Sequence, residues 1–418
     1  MAKPKLALIP ATQGSKLYSV LPADGVGDFN FSRNTGATRI NKDGLIETVA
    51  VGKSRLNYPL IDGVVNGCPS HLLEPERLQK IQYSEDFSNA YWTKSNTTLT
   101  SGFVAPDGTS NAFKLVENTS TTSHKIFRAN AFTSNVEYTY SFFAKKGERD
   151  FVSYVFSGVS NTASVYFDLN NGVVGSTNVV FGMTLSDTSI KSFPDGWYRC
   201  SLTFTQTINT SANITISDID YGANTPSYQG DGTSGVYIFG AQLEQGSYPT
   251  SYIPNYGTSA GITRVAETAN GAGDASTFND SEGVLMAEIS ALASVDDFRL
   301  LTLNSGNLNN IILIGLRNNG TIWSTITDNT AGQFTYISNY VPINVSLKLL
   351  IKYKTNDISF WVNGFKVATS TTATIPTGLN SIDFNYGNGT LPFYGNVKQI
   401  QYFDSALNDS NLEKITSW

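Results

Sequence analysis

The 418-residue sequence has few charged residues, few histidines and almost no cysteine. Asp, Glu, Lys and Arg make up 15% of the chain, whereas soluble proteins average about 25%. Cys68 and Cys200 stand far apart and specify no disulfide framework. His71 and His124 are isolated from each other and from both cysteines, so the sequence favours neither a zinc site nor a Ser-His-Asp catalytic set. His124 is expected on a surface strand.

Long apolar runs, heptads and internal repeats are also missing. Without a run of about 18 apolar residues or a charged segment followed by an apolar stretch at the start, we expect no membrane insertion and no Sec-type signal. The net charge is −6, of which residues 1–80 carry +3 and the remainder −9. An acidic body argues against nucleic acid as a partner, because phosphate neutralisation requires clustered Lys and Arg.

What the sequence does have is aromatic residues, at 12%, together with many Asn, Thr, Ser and Gly. Short β-branched and aromatic runs recur every ten to fifteen residues between turn clusters, which is typical of antiparallel β-sandwiches. We therefore predict an all-β protein with a jelly roll over residues 81–255 and a second sandwich over residues 281–418. In the latter, Asn363-Gly364 predicts a type I′ hairpin, and Asp409 or Ser410 is expected to cap a C-terminal helical turn.

The remaining segments are interrupted by proline and glycine. Residues 1–80 are predicted to form an extended arm with a small hairpin whose turn is 41–44, used for docking and oligomerisation. The alternative is that this segment wraps around the second domain of its own chain and stabilises it. Residues 256–280 are rich in small residues and are expected to form a flexible linker.

Several motifs resemble a known class of proteins. Residues 240–254 read GAQLEQGSYPTSYIP, and YSEDFSNAYW and PDGWYRCSLTF precede them. These resemble the signatures of a carbohydrate-binding β-sandwich module in tailed-bacteriophage structural and tail-fibre-like proteins. The upstream FSRNTGATRINKDGLIE and NGCPSHLLEPER resemble the leader of the same proteins. By pattern, residues beyond about 270 are similar to a concanavalin A-like, laminin G-like lectin domain.

This resemblance implies a virion protein, such as a tail fibre, an appendage or a head fibre. Residues 1–80 would attach to capsid, portal-proximal or tail proteins, and the sandwich loops would bind host-surface polysaccharide. A homo-oligomer is expected, with the trimer as the usual form of such appendages. Two alternatives stay open: a structural capsid-decoration or tail-assembly protein without ligand, and a glycan-degrading depolymerase. We expect no enzyme, because the strand-like run 286–291 offers one acid, Glu288, where the lectin-like glycosidases place two or three.

Sugar binding requires aromatic rings that stack on a pyranose and amides that bond its hydroxyl groups. The predicted glycan-binding residues are aromatic and amide side chains of the C-terminal domain: Trp323, Tyr336, Tyr340, Tyr386, Asn339, Asn385 and Asn388. Trp92 and Trp197 of the middle module are expected in its core. No metal or other cofactor is predicted. Calcium is left open, since Asp231, Asp328 or the pair Asp296-Asp297 could supply oxygen ligands, although no D-x-D-x-D spacing occurs.

Overall fold

The computed structural model describes residues 3–157, 162–179, 182–219, 227–293, 298–340 and 345–418. The protein is all-β, as predicted, with 53% of its residues in strands and 3% in helix. Within those ranges, no helix is long and apolar enough to cross a membrane.

The strands are short at the N-terminus and longer in the two sandwiches. The first group is β1 (Leu6–Leu8), β2 (Lys16–Leu17), β3 (Ser19–Leu21), β4 (Phe29–Ser32), β5 (Ala37–Ile40), β6 (Ile46–Val49), β7 (Leu56–Asn57), β8 (Leu60–Ile61), β9 (Val64–Val65), β10 (Ser70–Leu73) and β11 (Arg77–Gln79). The middle group is β12 (Thr93–Ser95), β13 (Thr97–Phe103), β14 (Ala112–Glu117), β15 (Thr121–Thr122), β16 (His124–Phe132), β17 (Glu137–Lys146), β18 (Phe151–Ser157), β19 (Thr162–Asp168), β20 (Val173–Val179), β21 (Met183–Ser192), β22 (Trp197–Gln206), β23 (Thr210–Ile219), β24 (Tyr228–Gln229) and β25 (Gly235–Gln245). The last group is β26 (Ile262–Arg264), β27 (Thr268–Asn270), β28 (Glu282–Ala291), β29 (Arg299–Asn304), β30 (Ile311–Leu316), β31 (Thr321–Asp328), β32 (Ala331–Tyr340), β33 (Leu347–Lys354), β34 (Ile358–Val362), β35 (Phe365–Ser370), β36 (Ser381–Asp383) and β37 (Gly395–Phe403), followed by helix α1 (Asp409–Thr416).

The middle group forms two six-stranded antiparallel sheets. The β18 sheet has the order β12-β16-β23-β18-β19-β20, and the β17 sheet has the order β13-β14-β25-β17-β22-β21. Alternate residues of β17, such as Tyr138, Tyr140 and Phe142, enter the core between the sheets. His124 was predicted wrongly at the surface. It is buried on β16, because the ring of Tyr228 packs on it at a centroid distance of 4.9 Å.

The outward face of the β17 sheet is covered as well. Phe143, Trp197 and Phe239 lie on this face and pack against Tyr252 and against Ile46 of the β5–β6 hairpin. Trp197 is therefore buried, and so is Trp92 in the core between the sheets, which confirms the prediction for both side chains.

The C-terminal sandwich pairs a five-stranded sheet with a larger one. The β30 sheet has the order β32-β31-β30-β29-β36, and the β28 sheet has the order β3-β1-β37-β28-β33-β34-β35, with β10 also paired to β37 and β7. The predicted hairpin is present: Asn363 and Gly364, both at positive φ, connect β34 to β35. Helix α1 begins one residue earlier than expected, because the side chain of Asn408 accepts a hydrogen bond from the Asn411 amide.

The N-terminal segment differs from the extended arm that was predicted. The β5–β6 hairpin forms as expected, but β1 and β10 pair with β37 of the β28 sheet. Leu6, Leu8 and Phe29 enter the C-terminal core. Prolines keep each strand too short to bury much by itself, so these strands satisfy their backbone groups on sheets of their own chain. The alternative of a wrap on the second domain describes the β5–β6 hairpin, which packs on the middle sandwich, but not β1 and β10, which pair with the C-terminal sandwich.

The segment 256–280 also differs from the flexible linker that was predicted. Its strands β26 and β27 pair with β11 and β4 of the N-terminal segment. Glu267 forms ion pairs with Arg33 at 2.6 Å and with Arg55, while Glu74 pairs with Arg55 at 2.8 Å and with Arg264 at 2.9 Å. All five side chains are buried. Small residues permit close packing here, and the ion cluster fixes the segment.

Candidate functional site

The outward face of the β30 sheet carries a pair of stacked aromatic rings. On β31, Ile322 and Ile326 point into the core, so Trp323 lies on the opposite face. Tyr386 reaches the same place from the loop after β36. The centroids of the two rings are 5.5 Å apart, with 32° between their planes. Both side chains are half-buried, so the rings form a continuous surface that solvent still reaches. We call this pair the aromatic platform.

The loop that carries Tyr386 is held against the sheet by backbone carbonyl groups. Thr302 of β29 donates to the Asn385 carbonyl at 3.0 Å, and Arg299 donates to the Tyr394 carbonyl at 3.2 Å. Gly387, at positive φ, lies so close to Ile311 and Asn304 that a Cβ there would be 3.3 to 3.4 Å from both. The close approach fixes the tyrosine ring over β31.

The two predicted asparagines of this loop have different roles. Asn385 is buried, and its side-chain oxygen accepts from the amides of Gly387 and Gly389 while its Nδ2 donates to Asn270. It therefore shapes the loop and is not offered to a ligand. Asn388 is exposed beside the platform residue Tyr386 in sequence, with its side-chain oxygen bonded to Thr390.

The remaining predicted residues lie on β32. Tyr336 is one of the predicted glycan-binding residues, but its ring packs on the core side of the sheet at a centroid distance of 5.3 Å from Phe360, because strand alternation turns it inward. Asn339 is exposed near the end of the strand. Tyr340 ends β32, and its side chain lies outside the described part of the chain. Of the seven predicted residues, the structure brings Trp323 and Tyr386 together, with Asn388 in the same loop.

Ile337 was missed at the sequence level. It pairs directly with Trp323 across β31 and β32, and 49% of its surface is exposed. An exposed isoleucine beside the half-buried tryptophan extends the apolar surface of the platform. The alternation of Thr335, Ile337 and Asn339 could have indicated an outward face, but the sequence did not show which face of β32 is buried.

The described carboxylates that were considered for calcium or for catalysis are engaged by protein groups. Asp328 accepts from Thr374 and Asn329, and Asp231 accepts from the amides and hydroxyls of Thr233 and Ser234. Glu288 accepts from Ser346 at 2.9 Å and from Gln399 at 3.0 Å. Asp296 and Asp297 lie outside the described residues. Among the residues that are described, no group of three or more His, Cys, Asp or Glu side chains could hold a metal ion.

Comparison with known proteins gives partial likenesses in structure alone. No protein-family profile matches the chain, and no curated protein matches it. A sialidase carbohydrate-binding module (CBM40) from Ruminococcus gnavus, bound to α2,3-sialyllactose, is similar over 35% of this chain and 88% of its own, with 19% identity and a TM-score of 0.30. Domain 4 of the arabinanase AbnA from Geobacillus stearothermophilus, in complex with arabinotriose, covers 36% of this chain and 73% of its own, at 13% identity and a TM-score of 0.28. Mouse laminin α1 domains LG4-5 cover 76% and 96%, at 10% identity and a TM-score of 0.23. These values do not support transfer of a ligand or an activity to this chain.

Proposed function

We propose that the C-terminal sandwich binds a glycan on the platform of Trp323 and Tyr386, without cleaving it. The observation that carries this proposal is the 5.5 Å ring pair on an outward sheet face. The apolar C–H face of a pyranose stacks on aromatic rings, and neighbouring amides and hydroxyls such as Asn388 and Thr390 bond the sugar's hydroxyl groups. Affinity at one platform is modest, so several copies on one particle provide avidity.

A glycan array on the full-length protein tests this proposal. Trp323→Ala should lower the affinity for the best glycan about tenfold, because it removes one stacking surface. The control is Trp418→Ala, since Trp418 is an exposed tryptophan whose ring lies against Lys348 and is not part of the platform. Equal binding by both variants would contradict the platform. If the wild-type protein bound none of the host polysaccharides, the purely structural alternative would be favoured. If the protein shortened glycans on incubation, the depolymerase alternative would be favoured.

We further propose that the protein belongs to a bacteriophage particle, where residues 1–80 contact other virion proteins. This rests on the sequence resemblance. The same segment offers exposed apolar side chains for such a contact, namely Val51, Ile61 and Val64. These side chains can contact a neighbour while β1 and β10 remain in the β28 sheet.

The docking proposal is tested by incorporation into particles. The double variant Ile61→Asp and Val64→Asp should stay folded but be lost from purified particles, because two charges would enter an apolar contact. Val173→Asp is the control, since Val173 is equally exposed on β20 of the middle sandwich. Light scattering of the free protein tests the homo-oligomer, with a trimer as the expected mass.

A further inference from the structure

A cavity lies where the three parts of the chain meet. It has a volume of about 230 Å³ and is bounded by the β5–β6 hairpin, the outward face of the β17 sheet and the C-terminal sandwich. Its floor is formed by alternate residues of the paired strands β21 and β22: Ser189 and Lys191 on the first, Arg199 and Ser201 on the second. β21 is the edge strand of that sheet, so the cavity opens beside it. We call this cavity the junction pocket.

Two cations face each other in the floor of the junction pocket. Lys191 and Arg199 are direct cross-strand partners, and like charges in that arrangement destabilise a sheet. Arg199 donates to the Thr250 carbonyl at 2.7 Å and to the Ser141 hydroxyl at 2.9 Å, while its Nε has no partner among the described residues. Both acceptors are neutral, so neither neutralises the guanidinium.

Nearby carboxylates do not neutralise this cation pair directly. Glu244 and Glu74 attract the Arg199 guanidinium through space, without a hydrogen bond to it. Glu244 accepts from Gln242 and Thr250, and Glu74, which lines the pocket, is paired with Arg55 and Arg264. Lys191 has no ion-pair partner in the described part of the chain. Desolvation by the surrounding protein, and then Arg199, lower the pKa of Lys191, although this residue of the edge strand is exposed to solvent. The free protein thus keeps two adjacent cations without a hydrogen-bonded counter-ion.

The rest of the floor and walls suits a polyhydroxylated ring. The hydroxyls of Ser189 and Ser201 lie 2.7 Å apart next to the cations, so each has further hydrogen-bonding capacity towards the pocket. Phe143 and Tyr252 also line the pocket, but both rings are buried and the Arg199 guanidinium lies over the Phe143 ring, so they offer a ligand little surface. A bare phosphate would use the cations but leave the serine hydroxyls and most of the volume unused, whereas a sugar ring bearing a carboxylate would use the cations, the hydroxyls and the volume.

We propose that the junction pocket binds an acidic sugar, with its carboxylate between Lys191 and Arg199 and its hydroxyl groups on Ser189 and Ser201. The carboxylate relieves the repulsion of the cation pair, and each charge-assisted hydrogen bond strengthens binding. This site is separate from the aromatic platform and does not depend on it. It adds recognition of negative charge to a protein whose platform recognises neutral ring faces.

Calorimetric titration of the full-length protein with glucuronate tests the proposal. Glucuronate should bind, glucose and inorganic phosphate should bind at least about tenfold more weakly, and Lys191→Gln should weaken glucuronate about tenfold. Lys191→Arg keeps the charge and should retain binding. Lys53→Gln is the matched control, because Lys53 is exposed and does not line the pocket.

Lys191→Gln removes the repulsion between Lys191 and Arg199, so its thermal unfolding temperature should be unchanged or higher. A loss of glucuronate binding in this variant therefore does not result from unfolding. Trp323→Ala should bind glucuronate as the wild type does, which separates this site from the platform. The proposal is overturned if glucuronate does not bind, or if Lys191→Gln and Lys53→Gln bind it equally. Phosphate binding as tight as glucuronate would overturn the sugar assignment, and glucose binding as tight would overturn the role of charge.

Discussion

The two sandwiches differ in how far the aromatic residues on their outward faces are buried. On the β17 sheet, Phe143 and Trp197 point away from the central core, yet both are buried beneath Tyr252 and the β5–β6 hairpin. On the β30 sheet, Trp323 also points outward, but a single short loop covers it in part and contributes Tyr386. The residue class is the same in both places. Whether a second layer of chain covers the face decides between core and surface.

The difference separates aromatic rings that are fully covered from rings that keep part of their surface open to solvent. Folding removes the whole apolar surface of a covered tryptophan from water, so a ligand cannot contact that ring unless the protein unfolds locally. A half-covered ring retains area that a ligand can still bury. The comparison therefore predicts large effects on stability on one sheet and large effects on binding on the other.

The sharpest test replaces Trp197. Trp197→Ala should lower the free energy of unfolding by about 4 kcal/mol, because it opens a cavity beneath the hairpin and removes the indole bond to the Val104 carbonyl. Urea unfolding followed by far-ultraviolet circular dichroism measures this loss. A change below about 1 kcal/mol, the size expected at a surface position, would show that the covering layer does not pack on this face.

The ion cluster that holds the covering layer is the second target. Glu267→Gln should cost about 3 kcal/mol, since Arg33 and Arg55 would stay buried with less counter-charge. Glu47→Gln is the control, because the Arg39–Glu47 pair is partly exposed and such pairs contribute less than about 1 kcal/mol. Chemical unfolding of both variants checks the contrast. Equal losses would mean that burial of the cluster does not matter.

The pH dependence of stability tests the same covered region. Burial raises the pKa of Glu85 to about 7, against hydrogen bonds from Tyr252, Tyr256 and Asn111 that lower it. A carboxyl group with a raised pKa binds its proton more tightly in the folded state. The contribution of this carboxyl group to the free energy of unfolding is therefore fully present below about pH 4.5. On the order of 2–3 kcal/mol of it is lost as the pH rises to about 7.

Unfolding free energies measured from pH 4 to pH 8 show this effect as a difference between two proteins. The wild type should lose stability across that window relative to Glu85→Gln, whose amide does not titrate. Parallel profiles would mean that the Glu85 carboxyl is solvated in the folded protein.

The smallest expected effect on stability completes the comparison. Trp323→Ala should change the free energy of unfolding by less than about 1 kcal/mol, because its ring is only half-buried on an outward face. The same unfolding assay that is used for Trp197→Ala measures it. A loss as large as that of Trp197→Ala would make Trp323 a packing residue and remove the contrast between the two sheets.

Part of this protein could be predicted from local sequence. Period-two alternation and turn chemistry depend on neighbours within a few residues, so the all-β class, the β5–β6 hairpin and the Asn363-Gly364 turn followed directly from the sequence. The scarcity of histidine and cysteine likewise limited the chemistry that the chain can support. Among the aromatic residues predicted in the C-terminal domain, Tyr386 and Trp323 lie together in the structure.

Tertiary structure alone decided which face of each strand is buried and what covers it. Alternation is symmetric between the two faces of a strand, so Tyr336 and Trp323 were equivalent in sequence, although one enters the core and the other faces out. Residues 1–80 could not be placed either, because short strands find partners by contacts far along the chain. The cross-strand pairing of Lys191 with Arg199 arises from register, which only the folded sheet sets.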